Sequence, residues 1–310
     1  MAEVIVTEFM DPDGVARLGR HFRVHYDSGL VDKPGELAEL LPDARALVVR
    51  NRTRVTAALL DAGPRLLCIG RLGVGLDNID LDACAARGLP VYPATGANVV
   101  SVAEYAVTMA LVLLRDGAYG AGEAVMDGHW PRERLVGREA AAKVFGVVGF
   151  GAIGRAAAER AAAMGMRVLA HDPHVPGCDP AWALAARRDL AALLAEADAV
   201  SLHVPLTPET RHLIGPDRIA AMKPGAVLIN TARGGVVDEA ALVEALRAGR
   251  LGGAALDVFE TEPLNAAAGA RFRGLANLIL TPHIAGVTRE CNARIGEIVA
   301  DRVIAHLEGA

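Results

Sequence analysis

Lys-Val-Phe-Gly-Val-Val-Gly-Phe-Gly-Ala-Ile-Gly, residues 143–154, is the stretch that decides the fold of this chain. Its first part, Val144–Val148, is a short apolar and β-branched run, which predicts a strand buried on both faces. Glycines then recur as G-x-G-x-x-G at Gly149, Gly151 and Gly154. In such a turn the first glycine makes the tight bend and the second lets a pyrophosphate approach the backbone. The third lets the following helix pack against the strand.

The residues that follow complete a nucleotide-binding unit. An Ala-rich segment, Arg155–Met164, predicts a helix whose N-terminus offers free N–H groups to phosphates. Arg167–Ala170 predicts a second strand, and Asp172 follows it where a carboxylate can accept the ribose hydroxyls. This ordered series predicts dinucleotide binding, the alternative being a Gly-rich turn without a ligand. Because Asp172 would repel a 2′-phosphate and no Arg or Lys follows directly, NAD is favoured over NADP.

Composition excludes several classes of protein. The chain has 310 residues and a formal net charge of −5, so no basic face is available for nucleic acid or for an anionic membrane. No apolar run approaches the ~18 residues that span a bilayer. The four cysteines are scattered and expected to be reduced, and the N-terminus carries an acid where a signal peptide has bases. We therefore expect a cytoplasmic protein without a nucleic-acid, membrane or metal partner.

Strand-like and helix-like patterns alternate along the rest of the chain, which indicates an α/β protein with parallel sheets. Before the Gly-rich turn, strands are predicted at Val4–Thr7, Arg23–Tyr26, Ala46–Val49, Leu66–Ile69 and Pro90–Tyr92, and helices at Pro12–Leu18, Pro34–Leu40, Thr56–Ala62, Leu81–Ala86 and Asn98–Leu114. After it, strands are predicted at Ala199–Val204, Ala226–Asn230, Gly253–Asp257 and Leu278–Leu280, and a final helix at Thr288–Leu307.

This order predicts two domains. A dinucleotide-binding domain at 99–284 is inserted into a second α/β domain built from 1–98 and 285–310, since the final helix can return to the first domain. We expect the active site in the cleft between the domains, a common location of ligand pockets.

Three polar segments follow predicted strands of the dinucleotide domain, and parallel sheets bind ligands at this carboxyl edge. The segments are Asn230–Gly235, Leu256–Pro263 and Leu280–Gly286. Together with Gly73–Asp80, Thr207–Thr210 and the Gly-rich turn, they make the sequence resemble the D-isomer-specific 2-hydroxyacid dehydrogenases over nearly the whole chain. The phosphoglycerate-dehydrogenase-like branch is the most similar, and several segments also resemble sulfolactate dehydrogenases of this superfamily.

The resemblance implies a fold, a cofactor and partners. The fold is α/β, with a doubly wound parallel (Rossmann) NAD domain inserted in a smaller flavodoxin-like α/β substrate domain. The partners are NAD and a small 2-hydroxy or 2-oxo acid. The segment Trp130–Arg134 lies where this family has a dimer-forming arm, so the resemblance also implies a homodimer.

The resemblance further implies three catalytic residues. His283 would be the general acid/base that takes the hydroxyl proton as hydride leaves for the nicotinamide, and Glu262 would hold the imidazole and stabilise its charged form. Arg233 would bind the substrate carboxylate. These residue types suit the chemistry, because His titrates near the working pH and Arg presents a planar fork to a carboxylate. Each of these residues has another interpretation when it is taken alone. For Arg233 it is a surface ion-pair residue, for Glu262 a solvated loop acid, and for His283 a buried histidine.

The remaining site residues are assigned by the same resemblance. The cofactor-binding set comprises Gly149, Gly151, Ala152, Ile153, Gly154, Asp172, Val204, Pro205, Thr207, Thr231, Ala232, Arg233, Asp257, His283, Ala285 and Gly286. The substrate-binding set comprises Arg50, Arg52, Val74, Gly75, Asn98, Arg233 and His283. For the apolar residues of both sets, the alternative interpretation is that they pack in the core and contact no ligand.

Arg50, Arg52 and Arg54 lie close together after a predicted strand and bear on the choice of substrate. Arg50 matches the phosphoglycerate-binding arginine of the family, whereas Asn51 and Arg52 replace the small residues usual there. We expect Arg50 or Arg52 to hold a second anionic group, which predicts a dianionic acid such as sulfolactate, 3-phosphoglycerate or malate. The alternatives are a solvated basic loop, a general reductase of glyoxylate or hydroxypyruvate, and an NAD-sensing corepressor-like protein.

Overall fold

The structure is a computed structural model and describes residues 2–309. The chain divides into two compact units, a first unit of Met1–Asn98 with Val287–Ala310 and a second unit of Val99–Gly286. Among the described residues, no helix has both the length and the apolarity needed to cross a bilayer.

Strands and helices alternate through the first unit, as its sequence pattern indicates. Its first part contains β1 (Val4–Val6), α1 (Pro12–Gly19), β2 (Val24–Tyr26), α2 (Pro34–Leu40), β3 (Ala46–Val49), α3 (Ala57–Ala62), β4 (Cys68–Arg71), α4 (Leu81–Ala86) and β5 (Val91–Pro93).

The second unit begins with a long apolar helix and then alternates in the same way. It contains α5 (Val99–Leu113), α6 (Gly122–Met126), β6 (Val144–Val148), α7 (Ala152–Ala163), β7 (Arg167–His171), β8 (Ala186–Arg187), α8 (Leu190–Glu196), β9 (Ala199–Leu202), α9 (Pro216–Ala221), β10 (Val227–Asn230), α10 (Glu239–Arg247), β11 (Gly253–Leu256), α11 (Ala266–Gly269) and β12 (Leu278–Leu280). The final helix, α12 (Arg289–Glu308), belongs to the first unit.

Both sheets are parallel. The sheet of the first unit has the order β2-β1-β3-β4-β5, which is the flavodoxin-like order. Helices α1 and α12 cover one of its faces, through residues such as Leu18 and Val299, whereas α2, α3 and α4 contribute Leu37, Leu60 and Cys84 to a separate core.

The sheet of the second unit has the order β12-β11-β10-β9-β6-β7-β8. This is a doubly wound Rossmann sheet, and its direction of winding reverses between β6 and β9, where such sheets bind dinucleotides. Helices α5 and α7 pack on one face, and α8, α9 and α10 pack on the other. Strand β6 is buried at all its positions, as the apolar run indicated. The α/β prediction, with Rossmann and flavodoxin-like sheets, is therefore confirmed.

Some element bounds differ from the expected ones. Helix α7 begins at Ala152 rather than Arg155, because Gly151 is its N-cap residue and Gly154 already lies in its first turn. Strand β4 runs over Cys68–Arg71 rather than Leu66–Ile69, since the N–H of Leu66 closes a turn onto Gly63. In one case a helix cap and in the other a local turn, rather than the apolar pattern, sets the boundary.

Candidate active site

The Gly-rich turn connects β6 to α7 in the second unit. Gly149 has φ +93°, a left-handed conformation that favours glycine, and an added Cβ there would lie 2.7 Å from the backbone of His203. An added Cβ at Gly154 would lie 2.1 Å from the carbonyl oxygen of Gly149, so only glycine allows the helix to pack this closely. At Gly151 an added Cβ would have no neighbour within 4 Å. The first turn of α7, with Ala152 and Ile153, thus opens onto free space.

Asp172 lies directly after β7 and its carboxylate is held in place. One oxygen accepts the N–H of Phe150 at 2.8 Å and the other accepts the N–H of His174 at 2.9 Å. A pocket of about 420 Å³ is lined by His171, Asp172, Pro173, Arg187, Arg188 and Asp189. This is the position that the fingerprint assigns to the adenosine ribose.

Two arginines of this pocket were not found from the sequence, where only the residues next to Asp172 were considered. Arg188 pairs with Glu196 at 3.0 Å, and the guanidinium of Arg187 lies 5.4 Å from the ring centroid of Trp182. Glu196 therefore offsets the charge of Arg188, whereas the uncharged ring of Trp182 leaves the positive charge of Arg187 in the same pocket as Asp172.

The loop after β9 carries the predicted residues Val204, Pro205 and Thr207. Its turn is closed by Thr210, whose hydroxyl accepts the N–H of Thr207 at 2.7 Å and donates to the carbonyl of Pro205 at 2.6 Å. His203, which precedes them, has Nε2 3.0 Å from the hydroxyl of Ser201. Burial lowers the pKa of His203 to about 4, so its ring is neutral near pH 7 and supports the turn as an uncharged group.

His283 and Glu262 form the central pair of the second unit. Nδ1 of His283 lies 2.8 Å from Oε2 of Glu262, and Oε1 of Glu262 accepts the N–H of Phe259 at 3.0 Å. Burial acts to raise the pKa of Glu262, but the bonds from His283 and Phe259, with a smaller charge effect of Arg233, hold that pKa below its usual range. The carboxylate of Glu262 is therefore ionised near neutral pH and can accept a hydrogen bond from the imidazole.

The backbone of His283 is in the left-handed region, with φ +56°, which is uncommon for a residue with a side chain. Its N–H donates to the carbonyl oxygens of Asp257, at 2.8 Å, and Thr281, at 3.0 Å. Strained conformations of this kind persist where surrounding contacts enforce them, and they cluster at active sites. The loop thus holds His283 in one orientation at some energetic cost.

Asp257 is the residue that fixes this loop. Its side chain is buried, with one oxygen accepting the N–H of Ile284 at 2.8 Å and the hydroxyl of Thr281 at 2.6 Å, while the other accepts the N–H of Ala285 at 2.8 Å. The hydroxyl of Tyr105, on α5, lies 2.5 Å from that of Thr281. Asp257 was assigned to the cofactor by resemblance, whereas its carboxylate contacts here are all with the histidine loop. Tyr105 was not found from the sequence.

Arg233 lies in a turn after β10 that Asn230 organises. The buried amide of Asn230 accepts the N–H of Ala232 at 3.1 Å and donates to the carbonyl of Arg233 at 2.9 Å. At Gly234 an added Cβ would lie 1.7 Å from the carbonyl oxygen of Phe259, so the Arg233 turn rests directly on the loop that leads to Glu262. The three predicted catalytic residues thus come from adjoining loops of one unit.

Thr231 provides a test of whether the site suits a cofactor. Its hydroxyl is buried and has no hydrogen-bond partner in the described part of the chain. A buried hydroxyl without a partner is costly, and a ligand at the carboxyl edge of the sheet would supply one. Together with the open space at Gly151 and the carboxylate at Asp172, this orphaned group fits a bound dinucleotide.

The predicted arginine loop is in the first unit, after β3. The buried carboxylate of Glu8 accepts the N–H groups of Arg50, Arg52 and Thr53 at 2.9–3.0 Å. From the other side, the amide of Asn78 donates to the carbonyls of Arg50, at 3.1 Å, and Thr53, at 2.6 Å. Burial opposes ionisation of Glu8, but these N–H groups hold its pKa below the usual range. The loop is therefore fixed before any ligand binds.

The guanidinium groups of Arg50 and Arg52 differ in their surroundings. Arg50 donates to the carbonyl of Phe9 at 3.3 Å and to the amide oxygen of Asn292 at 3.0 Å. Arg52 is exposed and makes a two-pronged ion pair with Asp32. Of the other predicted residues, Val74 and Gly75 follow β4, and Asn98 directly precedes α5.

A Rossmann sheet with a G-x-G-x-x-G turn, a fixed carboxylate after β7 and a histidine–glutamate pair beside an arginine is typical of a dinucleotide-dependent oxidoreductase. Residues 107–285 match the family model described as D-isomer specific 2-hydroxyacid dehydrogenase, NAD binding domain. The chain belongs to this family of dehydrogenases. It is an NAD-dependent enzyme that acts on 2-hydroxy acids, and the comparisons do not support a corepressor.

Three similar proteins illustrate the match. The (S)-sulfolactate dehydrogenase of Chromohalobacter salexigens is 54% identical over 304 residues, which cover 98% of this chain and 97% of that protein. The D-3-phosphoglycerate dehydrogenase of Synechocystis sp. is 39% identical over 98% of this chain, which spans only 54% of that protein. The crystal structure of D-lactate dehydrogenase from Aquifex aeolicus, complexed with NAD and lactic acid, superposes with a TM-score of 0.85 at 31% identity, covering 99% and 96% of the two chains.

Proposed function

We propose that this protein oxidises a small dianionic 2-hydroxy acid with NAD, and reduces the corresponding 2-oxo acid with NADH, and that (S)-sulfolactate is its substrate. The observation that carries the catalytic proposal is the 2.8 Å pair between His283 and Glu262. The substrate is inferred from the 54% identity to an (S)-sulfolactate dehydrogenase over almost the full length of both chains. Bound NAD supplies the acceptor for the hydride.

The chain's own residues orient the acid and move its proton. Arg233 binds the carboxylate of the substrate through its planar fork. With Nδ1 of His283 donating to Glu262, Nε2 is left free to take the proton of the 2-hydroxyl group. In the reductive direction the imidazolium returns that proton to the 2-oxygen, and the ionised Glu262 stabilises the imidazolium until it does.

We assign the cofactor contacts to the residues already placed around the carboxyl edge of the sheet. The first turn of α7, with Gly151, Ala152 and Ile153, would hold the pyrophosphate, and Asp172 the adenosine ribose. The orphaned hydroxyl of Thr231 would serve the nicotinamide end. Asp257 acts at that end by fixing Ile284 and Ala285.

We assign the second anionic group of the substrate to the arginine loop. Glu8 and Asn78 hold the backbone of this loop by its N–H and carbonyl groups, so the side chains of Arg50 and Arg52 start from fixed backbone positions. Val74, Gly75 and Asn98 remain the proposed neighbours of the substrate in the first unit. A sulfonate that displaces Asp32 from Arg52 would replace one charge-assisted contact with another.

An Arg52→Ala variant tests this assignment. We expect kcat/KM for sulfopyruvate and phosphohydroxypyruvate to fall about 10- to 100-fold, because a hydrogen bond to a charged group contributes about 1.5–3 kcal/mol. For glyoxylate and pyruvate, which lack the second charge, we expect little change. The measurement is the steady-state oxidation of NADH with each of the four acids.

Arg54→Ala is the matched control, since Arg54 is exposed in the same loop and has no assigned role. It should leave all four values near those of the wild type. Equal losses on monoanionic and dianionic acids in Arg52→Ala would contradict the assignment. A wild-type enzyme that prefers glyoxylate would indicate the general reductase instead.

We also propose that the protein is a homodimer in the cytoplasm. Tyr119, Met126, Trp130 and Val136 lie in one segment between α5 and β6, and each of these apolar side chains is more than 70% exposed. A second copy of the chain would cover such a surface. Unbridged cysteines, three of them buried, suit a reducing compartment.

A Trp130→Glu variant tests the dimer. A buried and unpaired carboxylate at an interface costs several kcal/mol, so we expect the variant to be a monomer where the wild type is a dimer, as measured by light scattering after gel filtration. Trp182→Glu would be a poor control because Trp182 is partly buried and stacks on Phe150, so Met164→Glu, at an exposed position of the second unit, is preferable. A monomeric wild type would contradict the proposal.

A further inference from the structure

A second group of charged side chains lies behind the loop that carries Glu262. Glu239 and Glu260 hydrogen-bond reciprocally: the N–H of Glu260 donates to the carboxylate of Glu239 at 2.7 Å, and the N–H of Glu239 donates to that of Glu260 at 3.3 Å. We call this pair the glutamate clamp.

Other charged or titratable side chains lie next to the glutamate clamp. Arg271 lies 3.4 Å from the carboxylate of Glu239 and 3.7 Å from that of Glu260. His212 lies 3.1 Å from Glu260, and Asp238 is the N-cap residue next to Glu239. The side chain of Glu239 is only 5% exposed, and burial raises its pKa, to which the charge of Glu260 adds. A buried acid that is kept in place in this way calls for a specific role, because burial of a carboxylate is costly.

The clamp connects the two loops that bear the proposed catalytic residues. Glu239 begins α10, a few residues after Arg233, and Glu260 lies two positions before Glu262. Between them, the backbone at Gly234 lies directly on the backbone of Phe259 and Glu260. Phe259 also donates its N–H to Glu262. A shift of Glu260 would therefore move the N–H group of Phe259, which donates to Glu262. It would also move the backbone against which the Arg233 turn packs.

We propose that Glu239 is a positioning residue for the reaction, which fixes the Glu262 loop against the Arg233 turn and so sets the strength of the His283–Glu262 pair. The inference rests on the proposed roles of Glu262 and His283. Glu239 touches neither substrate nor cofactor in this proposal and acts only through the loop.

Glu239→Ala, Glu239→Gln and Glu244→Ala form the test set. In reduction of a 2-oxo acid the imidazolium donates the proton, so activity falls on the basic side as this group loses its proton. A looser Glu262 stabilises imidazolium less, and we expect Glu239→Ala to move this basic limb of kcat to lower pH by about half a unit or more, with kcat about 10-fold lower. Glu239→Gln keeps an oxygen that accepts the N–H of Glu260. Its kcat and the position of its basic limb should therefore lie close to those of the wild type. Glu244, exposed on the same helix, should be neutral.

The outcomes separate this inference from the proposed function. The inference is overturned if Glu239→Ala has the wild-type pH profile of kcat while Glu262→Gln shifts the basic limb of that profile. If Glu262→Gln also leaves the profile unmoved, the proposed role of Glu262 fails. NADH binding, followed by fluorescence, shows that the variants are folded. Should Glu239→Ala not fold, Glu260→Ala carries the test, because it removes the other half of the clamp and must shift the limb in the same direction.

Discussion

Replacement of His283 by Gln is expected to lower kcat about 10³-fold in both directions, because general acid–base catalysis by a positioned side chain contributes about 10²–10⁴-fold. Gln keeps a polar side chain of similar size at this position, but it cannot exchange a proton with the 2-oxygen. The affinity for NADH is expected to change little, since the cofactor contacts proposed above come mainly from other loops. Stopped-flow reduction of the 2-oxo acid and fluorescence titration of NADH measure the two quantities.

His21→Gln is the matched control for this variant. His21 is a surface histidine paired with Glu308 in the first unit, and its replacement should leave kcat unchanged. A His283→Gln enzyme that retains more than about a tenth of the wild-type kcat would contradict the assignment of the acid/base, because the effect would fall below the range for this type of catalysis.

Replacement of Arg233 by Lys is expected to lower kcat/KM by about 10³-fold. Lys keeps the positive charge but presents a point charge in place of two parallel donors, so the carboxylate is neither held bidentately nor oriented toward the hydride acceptor. The guanidinium of Arg233 also donates to the carbonyl of Ala232 at 2.7 Å, and this bond orients the guanidinium. Lys has a shorter side chain with one nitrogen, so it cannot make this bond and bind the carboxylate in the same way. Misplacement of a bound substrate by even 1 Å can cost about 10²-fold in rate.

Arg273→Lys provides the control, since Arg273 is exposed and lies outside the site. Saturation curves for the 2-oxo acid separate KM from kcat. We expect KM to rise because binding of the carboxylate is weakened, and kcat to fall because the substrate is misoriented toward the hydride acceptor. An Arg233→Lys enzyme within tenfold of the wild type in kcat/KM would show that the carboxylate is bound elsewhere.

The fold could be predicted from the sequence because its signals are local. The apolar run at Val144–Val148, the three glycines and the Ala-rich segment each specify structure within a few residues, and the doubly wound sheet follows from their order. The boundaries were less certain where a glycine belongs to both turn and helix, as at Gly154, or where a turn such as Gly63–Leu66 shifts the start of a strand.

The site could be predicted only in part. Arg233, Glu262 and His283 lie in motifs that match the family, so their roles could be assigned by resemblance. Tyr105 and Glu239 could not be found in this way, because Tyr105 contacts Thr281 and Glu239 contacts Glu260, and both partners are distant in sequence. Glu8 is the clearest case: nothing near it indicates that its carboxylate will collect three N–H groups from a loop more than forty positions later.

Charge pattern alone was also an incomplete guide. The segment after β7 contains no Arg or Lys next to Asp172, yet Arg187 and Arg188 line the same pocket because β8 pairs with β7. Likewise, the three arginines at 50–54 look equivalent in sequence, whereas Arg50 is tied to Phe9 and Asn292, Arg52 to Asp32, and Arg54 is exposed. These differences arise from packing, and they decide which arginine is worth substituting.

The central claim is that His283 and Arg233 act together on one substrate beside the nicotinamide. A crystal structure of the enzyme with NADH and a non-reducible analogue of the 2-oxo acid tests this most directly. We expect Nε2 of His283 within about 2.6–3.2 Å of the 2-oxygen, the guanidinium of Arg233 paired with the carboxylate, and C4 of the nicotinamide about 3–3.5 Å from C2 of the acid. A closed, liganded crystal form in which either side chain lies many ångströms from the acid would contradict the account.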